Sequence, residues 1–172
     1  MSKVSFGVKP YLFPMPVLMI ATYCEDGRVD VMNMAWGGIC DNNKVALNIT
    51  ESHMTAKNIK ERGAFTISIA DVDHLAESDF FGTASANRMP DKFERTGMHA
   101  LKSSYVDAPV IEEYPVTLEC QVASIQKDEE GFRVVGEIVN VLVDDKVLDA
   151  NGKVDPTKIN AFAFDQFQNG YY

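Results

Sequence analysis

The sequence predicts a mainly β fold with peripheral helices, built on a six-stranded antiparallel barrel. Three observations favour this fold: apolar residues alternate along several segments, turn signals separate those segments, and two helical segments fall between strands. The chain has 172 residues and 46% hydrophobic residues, enough for a sizeable buried core. We therefore expect a single domain over residues 1–172.

Each predicted strand ends at a turn or at a helix. The pair Asp26-Gly27 is a strong hairpin signal between the first two strands, and the turn DEEG joins the last two. Gly63 and Gly82 are predicted to end the two helices. The expected buried face of the second helix consists of Val72, Leu75, Ala76 and Phe80. The predicted strands are 16–24, 29–36, 44–50, 64–70, 115–128 and 132–144, and the predicted helices are about 53–62 and 72–81.

The last predicted strand is apolar on both faces. Phe132, Val134, Ile138 and Leu142 share one face, and Val135, Val139, Val141 and Val143 share the other. A barrel wall that faces water is usually polar on its outer side, so this strand needs a second cover. Helices of the same chain or a partner subunit would provide it. A homodimer is the simpler answer and is our prediction.

The charge and the cysteines limit the partners and the compartment. A net charge of −9 argues against nucleic acid and against anionic membranes, because both require a basic surface. No apolar run is long enough to span a membrane, and the N-terminus does not resemble a secretory signal. Cys24, Cys40 and Cys120 are odd in number and widely spaced, which is typical of reduced thiols. We therefore expect a cytoplasmic protein with neither a nucleic-acid nor a membrane partner.

The segment TESHMTAKNI (50–59) lies where a strand gives way to a helix. It offers Thr50, Ser52, His53 and Thr55, and the free N–H groups of a helix N-terminus favour a phosphate. The alternative is that Ser52 is only an N-cap and that the rest is solvated surface. A second candidate anion-binding segment, FGTASANRMPDKFERTG (81–97), brings Ser85, Arg88 and Lys92.

The segment NMAWGGICDN (33–42) is a candidate site for a flat heterocycle. Trp36 supplies an aromatic face, while Gly37 and Gly38 permit a close approach to the backbone. The alternative is a core tryptophan beside a bulged turn. No catalytic triad and no metal-ligand spacing are found around His74 or His99. Cys40 has no second cysteine nearby, so we interpret it as a thiol without a redox role.

The order of these segments resembles the flavin reductase-like family of FMN-binding split barrels, and most of all its flavoredoxin-type members. The resemblance implies a Greek-key split barrel of the FMN-binding type, with FMN in a groove at a dimer interface. It also implies flavin contacts for a larger set of residues. The ring would contact Asn33, Met34, Ala35, Trp36, Lys92 and Phe164, and the ribityl phosphate would contact Thr50, Ser52, His53 and Thr55, with Ser85 nearby.

The resemblance implies an oxidoreductase that uses FMN for electron transfer or for NAD(P)H-dependent flavin reduction. NADH, NADPH or a redox protein would supply the electrons. Many relatives carry arginine where this chain has His53, so its phosphate contacts are expected to differ. The alternatives are a non-catalytic flavin-binding or storage module and a split barrel similar to pyridoxamine phosphate oxidase.

Overall fold

A computed structural model describes residues 1–127 and 131–172. Most of the described elements are strands. The strands are β1 (Met15–Pro16), β2 (Leu18–Tyr23), β3 (Val29–Met34), β4 (Gly37–Asp41), β5 (Lys44–Thr50), β6 (Ala64–Ile69), β7 (Ala100–Lys102), β8 (Pro109–Ile111), β9 (Val116–Lys127), β10 (Gly131–Val143), β11 (Ala163–Asp165) and β12 (Gly170–Tyr171). The helices are α1 (Met54–Arg62), α2 (Leu75–Thr83), α3 (Lys92–Arg95) and α4 (Pro156–Ile159), with 3-10 turns at Val72–His74 and Asp145–Val147.

Seven strands form one antiparallel sheet, in the order β3-β2-β6-β9-β10-β5-β4. Its two edge strands, β3 and β4, follow each other in the chain and are joined through Ala35 and Trp36. The sheet therefore curls until its edges meet at this connection, which makes it a split barrel. The predicted mainly β, antiparallel fold is confirmed.

The predicted strand count of six is one too low, because Gly37–Asp41 forms β4 beside β5. Two glycines and a polar turn suggested that the strand had ended. Gly37 instead lies where the barrel closes: a Cβ there would meet Leu47 Cδ2 at 2.8 Å and Leu18 Cδ1 at 3.1 Å. Gly37 therefore serves packing within the protein rather than contact with a ligand.

Apolar cores lie on both faces of the sheet. Inside the barrel, the alternating residues of β5 and β6 are buried as predicted: Val45, Leu47, Ile49, Phe65 and Ile67. On the other face, a second core packs Met19 and Val31 against Phe81 of α2 and Phe93 of α3. These helices hold the outer face of β2 and β3 away from water, which positions the region described below.

The first predicted helix ends where the sequence predicts, whereas the second ends later and buries a different face. Helix α1 ends at Gly63, whose φ of 65° is left-handed, as the sequence predicts. Its N-cap is His53, so the alternative in which Ser52 is only an N-cap is wrong. Helix α2 continues through Gly82 to Thr83, and it buries Ser78 and Phe81 instead of the predicted face. The 3-10 turn at Val72–His74 has a shorter repeat and rotates the following residues.

Strand β10 is long and irregular. Its pairing with β9 shifts register between Val135 and Gly136 and again between Ile138 and Asn140, so the predicted two faces are not continuous. Phe132 and Val134 are buried, whereas Val139, Val141 and Leu142 are 44%, 48% and 41% exposed. Residues 128–130 of the predicted DEEG turn lie outside the described residues. Within the described ranges, no helix is long and apolar enough to cross a membrane.

Candidate functional site

A cavity of about 700 Å³ opens beside the connection between β3 and β4. This volume falls in the range typical of small-molecule sites, about 300–1,000 Å³. The walls come from β3, β5, α2, the start of β10 and the C-terminal tail. They are formed by Met32, Asn33, Met34, Ala35, Trp36, Asn48, Ile49, Thr50, His53, Asp79, Gly82, Thr83, Gly131, Phe132, Phe164, Asn169 and Tyr171.

One wall of this large cavity is aromatic. The Trp36 and Phe164 ring centroids lie 6.0 Å apart, and those of Phe164 and Tyr171 lie 6.1 Å apart, both tilted. Trp36 is 46% exposed, so the alternative of a core tryptophan is wrong. Exposed aromatic faces around a cavity suit a flat, apolar ligand.

The backbone of β3 borders the same cavity. Because β3 is an edge strand of the sheet, its outer N–H and C=O groups are not used by a neighbouring strand. The carbonyl of Trp36 accepts a hydrogen bond from the Asn48 N–H at 3.0 Å, which fixes the connection against β5. The cavity therefore combines an aromatic face with a polar backbone edge.

A polar chain crosses the cavity wall from β3 to α2. Asn33 Nδ2 donates to the carbonyl oxygen of Ser78 at 2.8 Å and to the Tyr171 hydroxyl at 3.3 Å. The Tyr171 hydroxyl in turn donates to Asp79 Oδ1 at 3.0 Å. Burial raises the pKa of the Tyr171 phenol, and Asp79 raises that pKa further. The phenol is therefore protonated at neutral pH and ties the tail to α2.

A smaller cavity of about 110 Å³ lies next to the large one. The two share Met32, Asn33, His53, Gly82 and Thr83. Beyond these, the small cavity is formed by Asp30, Met54, Thr55, Phe81, Ala84, Ser85, Ala86 and Lys92. It lies between the start of α1 and the loop after α2, so the two segments predicted to bind an anion meet here.

A buried ion pair lies at the bottom of this small cavity. Lys92 Nζ lies 3.2 Å from Asp30 Oδ1 and donates to the Ala84 carbonyl at 3.3 Å. The Thr55 hydroxyl donates to Asp30 Oδ2 at 2.6 Å. All three residues are at least 97% buried. The contact of Lys92 with Asp30 Oδ1 is an ion pair and not a hydrogen bond. Asp30 Oδ1 has no hydrogen-bond partner among the described residues.

His53 lies at the junction of the two cavities. Loss of surrounding water lowers the pKa of its imidazole, and the Lys92 cation lowers it further, while Asp30 acts in the opposite direction. The imidazole is therefore neutral at pH 7. A neutral ring offers one N–H donor and carries no charge.

The structure brings together nearly all of the predicted site residues. Those that line the large cavity are Asn33, Met34, Ala35, Trp36, Thr50, His53 and Phe164, and those that line the small one are Asn33, His53, Thr55, Ser85 and Lys92. Ser52 lines neither cavity; it is exposed, and its carbonyl accepts from Asn87 Nδ2 at 2.7 Å. Arg88 also lines neither. Whether these residues contact a cofactor stays a prediction.

The sequence prediction lacks the polar residues Asp30, Asp79 and Tyr171, which form contacts described above. Asp30 occupies an alternating position in the second predicted strand, and this pattern gives no sign of a binding site. Tyr171 lies in an aromatic-rich tail from which only Phe164 was chosen, and Asp79 lies on the helix whose buried face was predicted wrongly. Cys40 is exposed on β4 and lines neither cavity, and among the described residues no cluster of three potential metal ligands is found.

The fold and the cavity together define the class: an antiparallel split barrel with an aromatic-walled cavity at the connection between its edge strands. The family model for the flavin reductase like domain matches residues 11–158, so the chain belongs to the flavin reductase-like family. The family supports a flavin cofactor and a flavin-related redox function.

Solved structures agree with this assignment. Flavoredoxin of Desulfovibrio vulgaris (Miyazaki F) is 31% identical, with a TM-score of 0.94 over 99% of this chain and 92% of its own. Flavoredoxin from Methanosarcina acetivorans is 21% identical, with a TM-score of 0.89 over 100% and 91%. An FMN-binding protein from Thermus thermophilus is 16% identical, with a TM-score of 0.79 over 100% and 94%. The last two similarities concern the fold alone.

Proposed function

We propose that this chain binds FMN and uses it for electron transfer or for NAD(P)H-dependent flavin reduction. The observation that carries the proposal is the aromatic wall of the large cavity, with the small polar cavity next to it. A large cavity with an aromatic wall lies next to a small cavity that is lined by Lys92 and Ser85. The large cavity matches the flat ring of a flavin, and the small cavity beside it would take the end of the ribityl chain with its phosphate.

The proposed roles follow from the positions of the side chains. Trp36 and Phe164 would cover the ring, and the backbone from Asn33 to Trp36 would face its polar edge. Thr50 and His53 would contact the ribityl chain, and Ser85 and Lys92 would contact the phosphate, with Ser52 and Thr55 at the edge of this region. Donation by Thr55 to a phosphate requires that its bond to Asp30 is broken. Bound FMN would supply the hydride and electron chemistry, so the protein needs no acid or base residue of its own.

The proposal includes a homodimer with the flavin near the interface. Val139, Val141 and Leu142 expose apolar surface on β10, and Trp36 and Ile39 do so beside the cavity. Apolar surface of this kind is commonly covered by a partner subunit. We also propose a cytoplasmic location, in keeping with three free cysteines, and neither a nucleic-acid nor a membrane partner, in keeping with the net charge of −9.

The visible spectrum of the purified protein tests the proposed function. We expect a yellow protein whose flavin absorbance bleaches under anaerobic NADH or NADPH if a nicotinamide is the donor. Bleaching by a reduced redox protein alone would identify an electron carrier. A flavin that neither donor reduces would support a storage module, and oxidation of pyridoxamine phosphate would support the other alternative. Protein that takes up no FMN after reconstitution would refute the proposal.

A further inference from the structure

Asp30 is the one carboxylate among the described residues that line the small cavity. We infer that Asp30 makes this flavin site nearly indifferent to the phosphate, so that riboflavin and FMN bind with similar affinity. The inference rests on the proposed function, because it concerns the same cavities. It assigns to Asp30 a role in specificity that is distinct from contact with the ring.

The first step concerns the charge of Lys92. Its ammonium lies 3.2 Å from Asp30 Oδ1, and both residues are at least 97% buried. A buried cation that already has a counter-ion gains little from a second anion, because the attraction to that anion is offset by repulsion from Asp30. The cation expected to bind the phosphate is therefore neutralised before a ligand enters.

The second step concerns the Thr55 hydroxyl. It donates its single hydrogen to Asp30 Oδ2 at 2.6 Å, so it can only accept from a ligand. The oxygens of a phosphate dianion also only accept. Thr55 and the phosphate therefore cannot form a hydrogen bond while the bond to Asp30 lasts.

The third step concerns the remaining charge. Among the described residues that line the small cavity, the ionisable side chains are Asp30, Lys92 and His53. His53 is neutral at pH 7 because burial and the Lys92 cation lower its pKa. One cation, one anion and one neutral ring give this cavity a formal charge of zero. Hydrogen-bond donors such as Ser85 remain, and one net hydrogen bond changes affinity by about tenfold.

The experiment compares the affinities of apoprotein for FMN and for riboflavin, using quenching of the single tryptophan. In the wild type we expect FMN to bind no more than about tenfold more tightly than riboflavin. In Asp30→Asn, Lys92 regains its full charge toward the phosphate, so this ratio should rise by about tenfold or more while riboflavin affinity stays the same. A wild-type preference for FMN of about 100-fold, or an unchanged ratio in Asp30→Asn, would overturn the inference.

Two further variants separate charge from other effects. Asp79→Asn removes a carboxylate from the large cavity instead, and it should change the affinities of both flavins by the same factor. The double variant Asp30→Asn/Lys92→Met removes both charges, and its ratio should return to the wild-type value. A ratio that rises in either variant as much as in Asp30→Asn would show that neutralisation of Lys92 is not the cause.

Stability offers a second measurement, because Asp30→Asn leaves a buried ammonium without its counter-ion. If this variant is unstable without ligand, FMN should raise its melting temperature more than riboflavin does, whereas the two flavins should act alike on the wild type. Equal shifts in the variant would contradict the role of Asp30. If neither flavin bound to the wild type, the proposed function would fail and the inference with it; intact riboflavin binding with an unchanged ratio would refute the inference alone.

Discussion

Replacing Trp36 by alanine tests the aromatic wall of the large cavity. A tryptophan offers about 150–250 Å² of surface, and 46% of this side chain is exposed in the absence of a ligand. If a flavin covers all of the exposed part, about 70–115 Å² leaves water, worth about 1.7–2.9 kcal/mol at about 25 cal/mol per Å². The variant should therefore bind FMN about 20- to 130-fold more weakly, as an upper limit.

The same arithmetic limits the loss of stability. The buried half of Trp36 accounts for about 2–3 kcal/mol of the free energy of unfolding at most. Truncation of a fully buried tryptophan typically costs about 3–5 kcal/mol. The variant should therefore remain folded, and its defect should appear mainly in binding.

The assay combines titration of apoprotein by flavin fluorescence with urea unfolding. In the wild type, FMN should also quench the emission of Trp36, which is the only tryptophan of the chain. Phe167→Ala is a matched control, because Phe167 is 50% exposed and lines neither cavity. If Trp36→Ala lost stability but bound FMN as the wild type does, the ring contact would be refuted.

Three other predictions follow from contacts described above. Thr55→Val should lower the free energy of unfolding by about 1–3 kcal/mol, because it leaves a buried Asp30 oxygen without its donor; urea unfolding should show a smaller loss for the exposed Thr157→Val. The pKa of His53 is lowered on folding, so below about pH 6.5 the unfolded chain binds more protons than the folded one, and the free energy of unfolding of the wild type should fall. The variant His53→Gln should lose less stability over the same pH range. An equal loss in both proteins would contradict the pKa assignment. Light scattering should give a dimer for the wild type and a monomer for Val141→Asp, while the control variant Val72→Asp should remain a dimer. A wild-type monomer with bound flavin would refute the proposed interface.

The alternating strands were predictable because their pattern is local. Val45, Leu47 and Ile49 alternate with less apolar neighbours, and one face of such a strand must be buried wherever it pairs. The Asp26-Gly27 hairpin and the left-handed Gly63 are local signals too. The confirmed parts of the fold therefore rest on interactions between residues close together in the sequence.

Strand β4 could not be predicted because the local residue pattern does not favour a strand there. Gly37 and Gly38 have low strand propensity, and this segment is extended because it pairs with β5 and closes the barrel. The face of α2 was wrong because one 3-10 turn, held by the Asp71 side chain, changed the helical phase. Both features depend on contacts that the local pattern does not contain.

In the candidate site, too, the residues with a local sequence signal were predicted and those that depend on distant contacts were not. The segments around Trp36 and His53 stood out because aromatic, glycine and hydroxyl residues are unusual together at strand ends. Asp30 alternates like a solvent-facing strand residue, yet α1 and α3 cover it, and its partner Lys92 comes far later in the chain. Buried ion pairs between distant segments leave no periodic signal in the sequence.

Gly37 and its neighbour Trp36 differ in the substitutions that they can accept. A side chain at position 37 would press on the ends of Leu18 and Leu47, so a larger residue there requires these leucines to move. The neighbouring Trp36 lines the cavity and is about half exposed, so its side chain is only partly involved in packing. Adjacent positions thus obey separate constraints, one from folding and one from the ligand. A library randomised at position 36 should retain folded members with altered ligand selectivity, whereas most members of one randomised at position 37 should be less stable than the wild type.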